Sequence, residues 1–272
     1  MREIIRQILR FIAFFIVPLR YRVNIIGKDK IDAPNENDTR PILFLSTHPC
    51  FADPVLTMQS LWPKYRPKPL ASSTQTERIG IGSLLKLWDP VEIPNIWVQG
   101  RDRVQQTRDA IESIGQALAD GSNVLLYPAG RFPRNGYEDL GARSSVTSIL
   151  SHRPDARIVL IRHVGLWGSR TGRQPWNDVP PLHIVAMQAI VALIANLIVF
   201  MPKRNVKIVM EEVTDFPVDG SRLEVNNYLE SYFNAEYQPL VKTPLFFWQK
   251  VQVLPNIEPP KPIGWDKLKK PE

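Results

Sequence analysis

The alternation of apolar and polar positions divides the chain into short strands and amphipathic helices. YRVNIIG, at 21–27, and PILFLS, at 41–46, read as strands separated by a polar loop from Lys28 to Arg40. Helical spacing follows from about Pro54 to Leu61, from Glu77 to Leu87 and from Arg103 to Ala119. In the last of these, Val104, Arg108, Ile111, Ile114 and Leu118 fall near one stripe before Gly121. The runs VEIP, NVLLY, RIVLIRHV and VKIVMEEV read as further strands, and Ser221 to Gln238 as one more helix. Strands alternating with helices predict an α/β domain with a mixed, largely parallel central sheet flanked by helices. The expected division is an N-terminal helix over 1–21, one domain over 22–239, and a Pro/Lys-rich tail over 240–272 that reads as extended and poorly packed.

Two apolar stretches bear on membranes. Ile4, Ile5, Ile8, Leu9, Ile12, Phe15 and Ile16 recur at helical spacing, with Arg2, Arg6 and Arg10 among the polar positions. An amphipathic membrane-associated helix of this kind lies in the headgroup layer, where its arginines meet lipid phosphates. The uninterrupted run from Phe11 to Val17 is too short to span hydrocarbon, which needs roughly 20 residues, and no small-residue cleavage site follows it. The same pattern also suits a helix docked on the protein's own core. The second stretch, Ile184 to Met201, is 18 residues long, at the threshold for spanning, with Gln188 and Asn196 near one face. It reads equally as a buried, a partly embedded or a spanning helix.

Composition narrows the partners. The 34 Lys and Arg against 27 Asp and Glu give a net charge of +7, which favours anionic surfaces and phosphorylated ligands. Nucleic acid has only that charge and 7 Trp in its favour, and we expect none. Cys50 is the only cysteine, so no internal disulfide forms. Neither a Gly-x-Gly-x-x-Gly nor a Walker-type loop occurs, and His48, His152, His163 and His183 lack the spacing of a local metal motif. No metal and no bound cofactor are expected.

Candidate chemistry lies in LSTHPCFADPVL, residues 45–56. The strand ending at Ser46 would deliver Thr47 and His48 to the C-terminal edge of a sheet, where α/β proteins commonly place ligand sites. Asp53-Pro54 is a helix start with Asp as N-cap. The intervening turn lets the Asp53 carboxylate reach one nitrogen of His48, fix its tautomer and stabilise the imidazolium. A capped turn and a general base with its orienting acid are compatible readings of one segment. A covalent route through Cys50, two residues from His48, is the competing chemistry.

With these residues in place the chain, over roughly Arg22 to Val213, resembles the glycerolipid acyltransferase family, which includes lysophosphatidic acid and glycerol-phosphate acyltransferases. THPCFAD corresponds to that family's Asn/Ser-His-x-x-x-x-Asp block. IPNIWVQGRDR corresponds to a strand leading to a phosphate-binding arginine, here Arg101 or Arg103. NVLLYPAGRF corresponds to a Phe-Pro-Glu-Gly-Thr-Arg block, keeping Pro128 and Gly130. There Ala129 replaces the glutamate, Arg131 stands at the threonine and Phe132 at the arginine. VLIRHVGLWGS corresponds to a Val-Pro-Val block without its proline.

The resemblance implies direct transfer of a fatty acyl group from acyl-CoA or acyl-carrier protein to the hydroxyl of a lysophospholipid or glycerol-phosphate-like acceptor. It implies His48 as base, Asp53 as its partner, and Arg101, Arg103, Tyr127, Pro128, Gly130 and Arg131 as acceptor-side residues. Alanine at 129 holds neither a hydroxyl nor an arginine, so acceptor geometry must differ or activity be reduced. The second expectation is therefore a weakened or inactive lipid-binding protein on the same fold. Membrane lipids with an anionic surface are the expected partners, at the cytoplasmic face of a membrane.

Overall fold

The computed structural model describes residues 19–72, 88–93, 102–141, 143, 145–197 and 200–259. The helix expected from Glu77 to Leu87 therefore lies outside the described residues, as do residues 1–18 of the expected N-terminal helix; Leu19 and Arg20 are helical and Tyr21 begins a strand. Seven strands form one sheet: β1 Tyr21–Ile26, β2 Ile42–Ser46, β3 Lys68–Ser72, β4 Val91–Ile93, β5 Val124–Leu126, β6 Arg157–Val164 and β7 Arg204–Val213. Their spatial order is β1-β7-β6-β2-β5-β3-β4, and every neighbouring pair is parallel except β6 with β7. The sheet is thus mixed and largely parallel, as the alternation of elements predicts.

β2 shows why the centre sits where it does. All five of its residues are buried, and strand alternation sends them to opposite faces. Leu43 and Leu45 join Ile114 and Leu118 of helix α2 (Asp102–Ala119), Ile149 of α3 (Ser145–Leu150) and Leu229 of α5 (Arg222–Phe233). Ile42 and Phe44 join Leu56 and Leu61 of α1 (Asp53–Tyr65), with Ile208 of β7. Helices cover both faces, the arrangement a buried parallel sheet requires.

Three local expectations change. In α2 the buried stripe is Ala110, Ile114 and Leu118, while Val104 and Arg108 face solvent, because burial begins only at the helix's third turn. Asp53 is the first helical residue and not the N-cap, which is Ala52. Its carboxylate instead accepts the Cys50 backbone N–H at 2.8 Å. The apolar run beginning at Ile184 is helical as α4 (Leu182–Ala195) and breaks at Asn196, whose side chain turns to the backbone of Ala192, Leu245 and Phe247.

Residues 240–259 are largely extended and anchored at several points. β8 (Leu240–Lys242) pairs antiparallel with β9 (Gln252–Leu254). Arg204 donates to Val241 O at 2.9 Å, Val241 N to Trp167 O at 3.0 Å, and Tyr137 Oη to Ile257 O at 3.1 Å. Carbonyls of this segment also satisfy Arg20, which donates to Pro244 O at 3.0 Å. Backbone groups, invisible to a reading of side-chain polarity, hold it.

Candidate active site

The parallel strands β2, β5 and β6 present their C-terminal ends at one edge of the sheet, and the site is built from the loops that follow them. After β2 the chain turns through Thr47 and His48 into α1. His48 Nδ1 lies 3.0 Å from Asp53 Oδ1 and 3.2 Å from Oδ2. Asp53 is fully buried, whereas the His48 side chain keeps 20% of its surface exposed. The carboxylate fixes Nδ1 as the protonated nitrogen, leaving Nε2 at the opposite edge of the ring as the basic one.

Burial works against a charged His48 imidazole. The charge and hydrogen bond of Asp53, with a smaller contribution from Glu138, outweigh it and hold the group above its ordinary value. His163, on β6, shows the contrast. It is buried, its ring nitrogens pair with Thr47 Oγ1 at 2.9 Å and Thr57 Oγ1 at 2.8 Å, and burial pushes it down to about 4. That histidine is neutral and structural.

After β5, Tyr127-Pro128-Ala129-Gly130 forms a turn closed by Gly130 N donating to Tyr127 O at 2.9 Å. Pro128 supplies the fixed φ of the second turn position, and Gly130 has φ +57°, a left-handed conformation suited to glycine. The Pro-x-Gly pattern therefore has a backbone reason. Tyr127 and Phe132 flank the imidazole, with ring centroids 4.4 Å and 4.7 Å from His48. Phe132 also meets Phe51 edge-on at 4.8 Å. Ala129 is buried.

Glu138 has no counterpart among the residues chosen from sequence. It is buried in the loop after Phe132 and accepts the backbone N–H of His48 at 2.7 Å. Its own backbone is clamped by Asn234 at the end of α5, which accepts from Glu138 N at 2.8 Å and donates to Glu138 O at 2.9 Å. Burial raises its carboxyl to about 7, despite the His48 N–H and the nearby charges of His48 and Arg131. No motif spacing marks Glu138; the only signal is an acidic residue in a loop that already carries the Pro-x-Gly turn.

Arg131 borders this cluster and is held by Asp139, its Nη2 lying 2.6 Å from Oδ2. Arg143, missed in the sequence, stacks toward the same turn, its Nε 3.9 Å from where a Cβ on Gly130 would lie. Arg101 and the side chain of Arg103 lie outside the described residues. Cys50 is fully buried and its thiol is pushed up to about 11, chiefly by burial and then by the Asp53 charge. A nucleophilic thiolate is therefore disfavoured there.

Beneath the His48 turn, Phe51 N donates to Thr171 O at 2.9 Å. Thr171 in turn borders a mostly apolar cavity of about 190 Å³ between the sheet edge and α4, walled also by Tyr21, Ala192 and Leu245 and edged by Arg20 and Arg204.

No protein-family model matches the sequence, and no curated protein matches it either. Among solved structures, the fold is similar to the crystal structure of the 1-acyl-sn-glycerophosphate (LPA) acyltransferase PlsC from Thermotoga maritima. The TM-score is 0.52 with 14% identity, over 85% of this chain and 77% of that one. At this identity the likeness is one of fold.

Proposed function

We propose that the protein is a membrane-associated O-acyltransferase that moves a fatty acyl group from acyl-CoA or acyl-carrier protein to the hydroxyl of a lysophospholipid or glycerol-phosphate-like acceptor. The observation that carries this reading is the His48–Asp53 pair, with one ring nitrogen engaged by a buried carboxylate at 3.0 Å and the imidazole partly open to solvent. The fold similarity to an LPA acyltransferase supports the same class.

In this mechanism His48 Nε2 takes the proton of the acceptor hydroxyl while Asp53 stabilises the imidazolium. The acceptor oxygen bonds to the thioester carbonyl carbon, giving a tetrahedral oxyanion. Its collapse breaks the carbon–sulfur bond, and the departing thiolate recovers the proton from His48. No covalent acyl-enzyme forms. Arg131, with Arg101 or Arg103, binds the acceptor phosphate, guanidinium being suited to bidentate contact. Tyr127 and Phe132 shield the base from water, and the apolar cavity under Thr171 supports a role in accepting an acyl chain.

Ala129 and the Phe132 ring against His48 favour a second reading, a lipid-binding protein of the same fold with weakened catalysis. One experiment separates the two: mass spectrometry of the lipids formed by purified protein from mixed acyl donors and lysolipids. Acylated product that disappears in His48→Ala supports the transferase. Product formed equally by both proteins, or by neither, rejects it.

A further inference from the structure

α4 is apolar on the side that faces away from the protein. Met187, Ile190, Val191 and Ile194 recur at helical spacing, and together with Leu197 and Phe200 they are between 47% and 72% exposed. A helix resting on a core normally turns polar residues to water. Here His183 in the first turn is exposed, but Gln188 in the middle of the helix lines the cavity beneath it and Asn196 at the C-cap is fully buried.

The stripe continues onto a second segment. Asn196 donates to Leu245 O at 2.8 Å and accepts from Phe247 N at 2.8 Å, fixing the chain after Pro244 beside the end of α4. Phe247 meets Phe200 at 5.6 Å, and Trp248 stacks on Phe246 at 4.7 Å, with Phe247 and Trp248 both exposed. One contiguous apolar and aromatic face results, larger than scattered surface hydrophobics account for.

Charge decides what covers it. Neither Val179 to Met210 nor Tyr237 to Ile257 contains an Asp or Glu, whereas Lys203, Lys242 and Lys250 occur there and Lys207 is paired with Glu236. An apolar face with an aromatic edge and lysines in its flanking segments matches hydrocarbon bounded by anionic headgroups. The geometry is that of a helix lying flat: 14 residues extend about 21 Å, short of the roughly 30 Å of hydrocarbon. Among the described residues no helix is long and apolar enough to cross.

We propose that the outward face of α4, with Phe247 and Trp248, docks into one leaflet of an anionic bilayer. This surface deepens the membrane association proposed above and is built from residues other than 1–21. It would set the edge of the sheet carrying the apolar cavity against the lipid.

The test uses the full chain carrying an environment-sensitive fluorophore at Ile194→Cys, with Leu223→Cys, exposed on α5, as reference; Cys50 is buried and does not compete. With phosphatidylglycerol-containing vesicles, the probe at 194 should shift to the blue and be quenched by spin-labelled acyl chains, and that at 223 should not. Ile190→Asp with Ile194→Asp should lower vesicle partition roughly tenfold with the fold intact by circular dichroism. Sedimentation with vesicles while the probe at 194 stays in water would overturn the docking face and leave N-terminal anchoring standing. No vesicle binding at all would overturn both. A dimer in buffer that the double variant dissociates, with unaltered vesicle binding, would assign the face to a second copy of the chain and overturn the proposal.

Discussion

Glu138 accepts the backbone N–H of His48 at 2.7 Å from a loop 90 residues further along the chain. The base is therefore held at two points by two carboxylates, its ring by Asp53 and its main chain by Glu138. Each carboxylate has a distinct titration consequence.

For the ring, the proposed mechanism requires neutral His48. Because Asp53 and Glu138 hold the imidazole above its ordinary value of 6.5, kcat/KM should fall as pH drops through a point above 6.5. Asp53→Asn removes the charge that favours the imidazolium, so the acidic limb should move to lower pH while kcat falls by about 10²–10⁴-fold. His48→Ala should lose a similar factor with little change in melting temperature. Unshifted acidic limbs in the two proteins would contradict the pairing.

For the main chain, Glu138 titrates at about 7 when folded against an ordinary 4.5. The folded state binds its proton more tightly, so the contribution to stability is complete below 4.5 and is lost as pH rises through 7. Across that window the difference is at most about 3 kcal/mol. Thermal melts of wild type and Glu138→Gln from pH 4.5 to 8 measure it: wild type should lose stability on alkalinisation relative to the variant. Parallel curves would exclude the effect.

Cys50 offers a separation of routes. Its buried thiol, pushed up to about 11, has no place in direct transfer. Cys50→Ala should retain acyl transfer within about threefold and lose roughly 1 kcal/mol of stability from the vacated sulfur volume. A covalent acyl adduct on Cys50, detected by intact-mass analysis during turnover, would reverse this.

Arg131 is held by Asp139, and this sets how strongly it can grip an anion. Arg131→Ala should raise KM for a phosphate-bearing acceptor about tenfold with kcat less affected. Asp139→Asn releases the guanidinium and should lower that KM. A KM unchanged in both variants would remove Arg131 from the acceptor site.

What the sequence makes legible follows from range. β2 and β6 are built on the apolar runs ILFL and IVLI, and His48 with Asp53 lies within one turn, so local pattern is enough to find them. β3 is KPLAS, without alternation or a β-branched residue, and it is a strand only because β5 and β4 pair with it on either side. Glu138 and Asn234 meet across 96 positions, and no spacing rule reports such a contact. Phe132, read from sequence as a replaced arginine, is in space a ring against the base. Residues 240–259, expected to pack poorly, are held by main-chain carbonyls and amides, which every sequence possesses.

The division of labour between two segments has a consequence for how such a protein changes over time. Base and orienting acid share one short turn of the chain, while the rings, the second carboxylate and Arg131 facing them all come from the single loop after β5. On the proposed function, proton transfer rests on one segment and acceptor choice on the other. Exchanging that loop for another that keeps Glu138 would redirect specificity while the hold on His48 stayed in place.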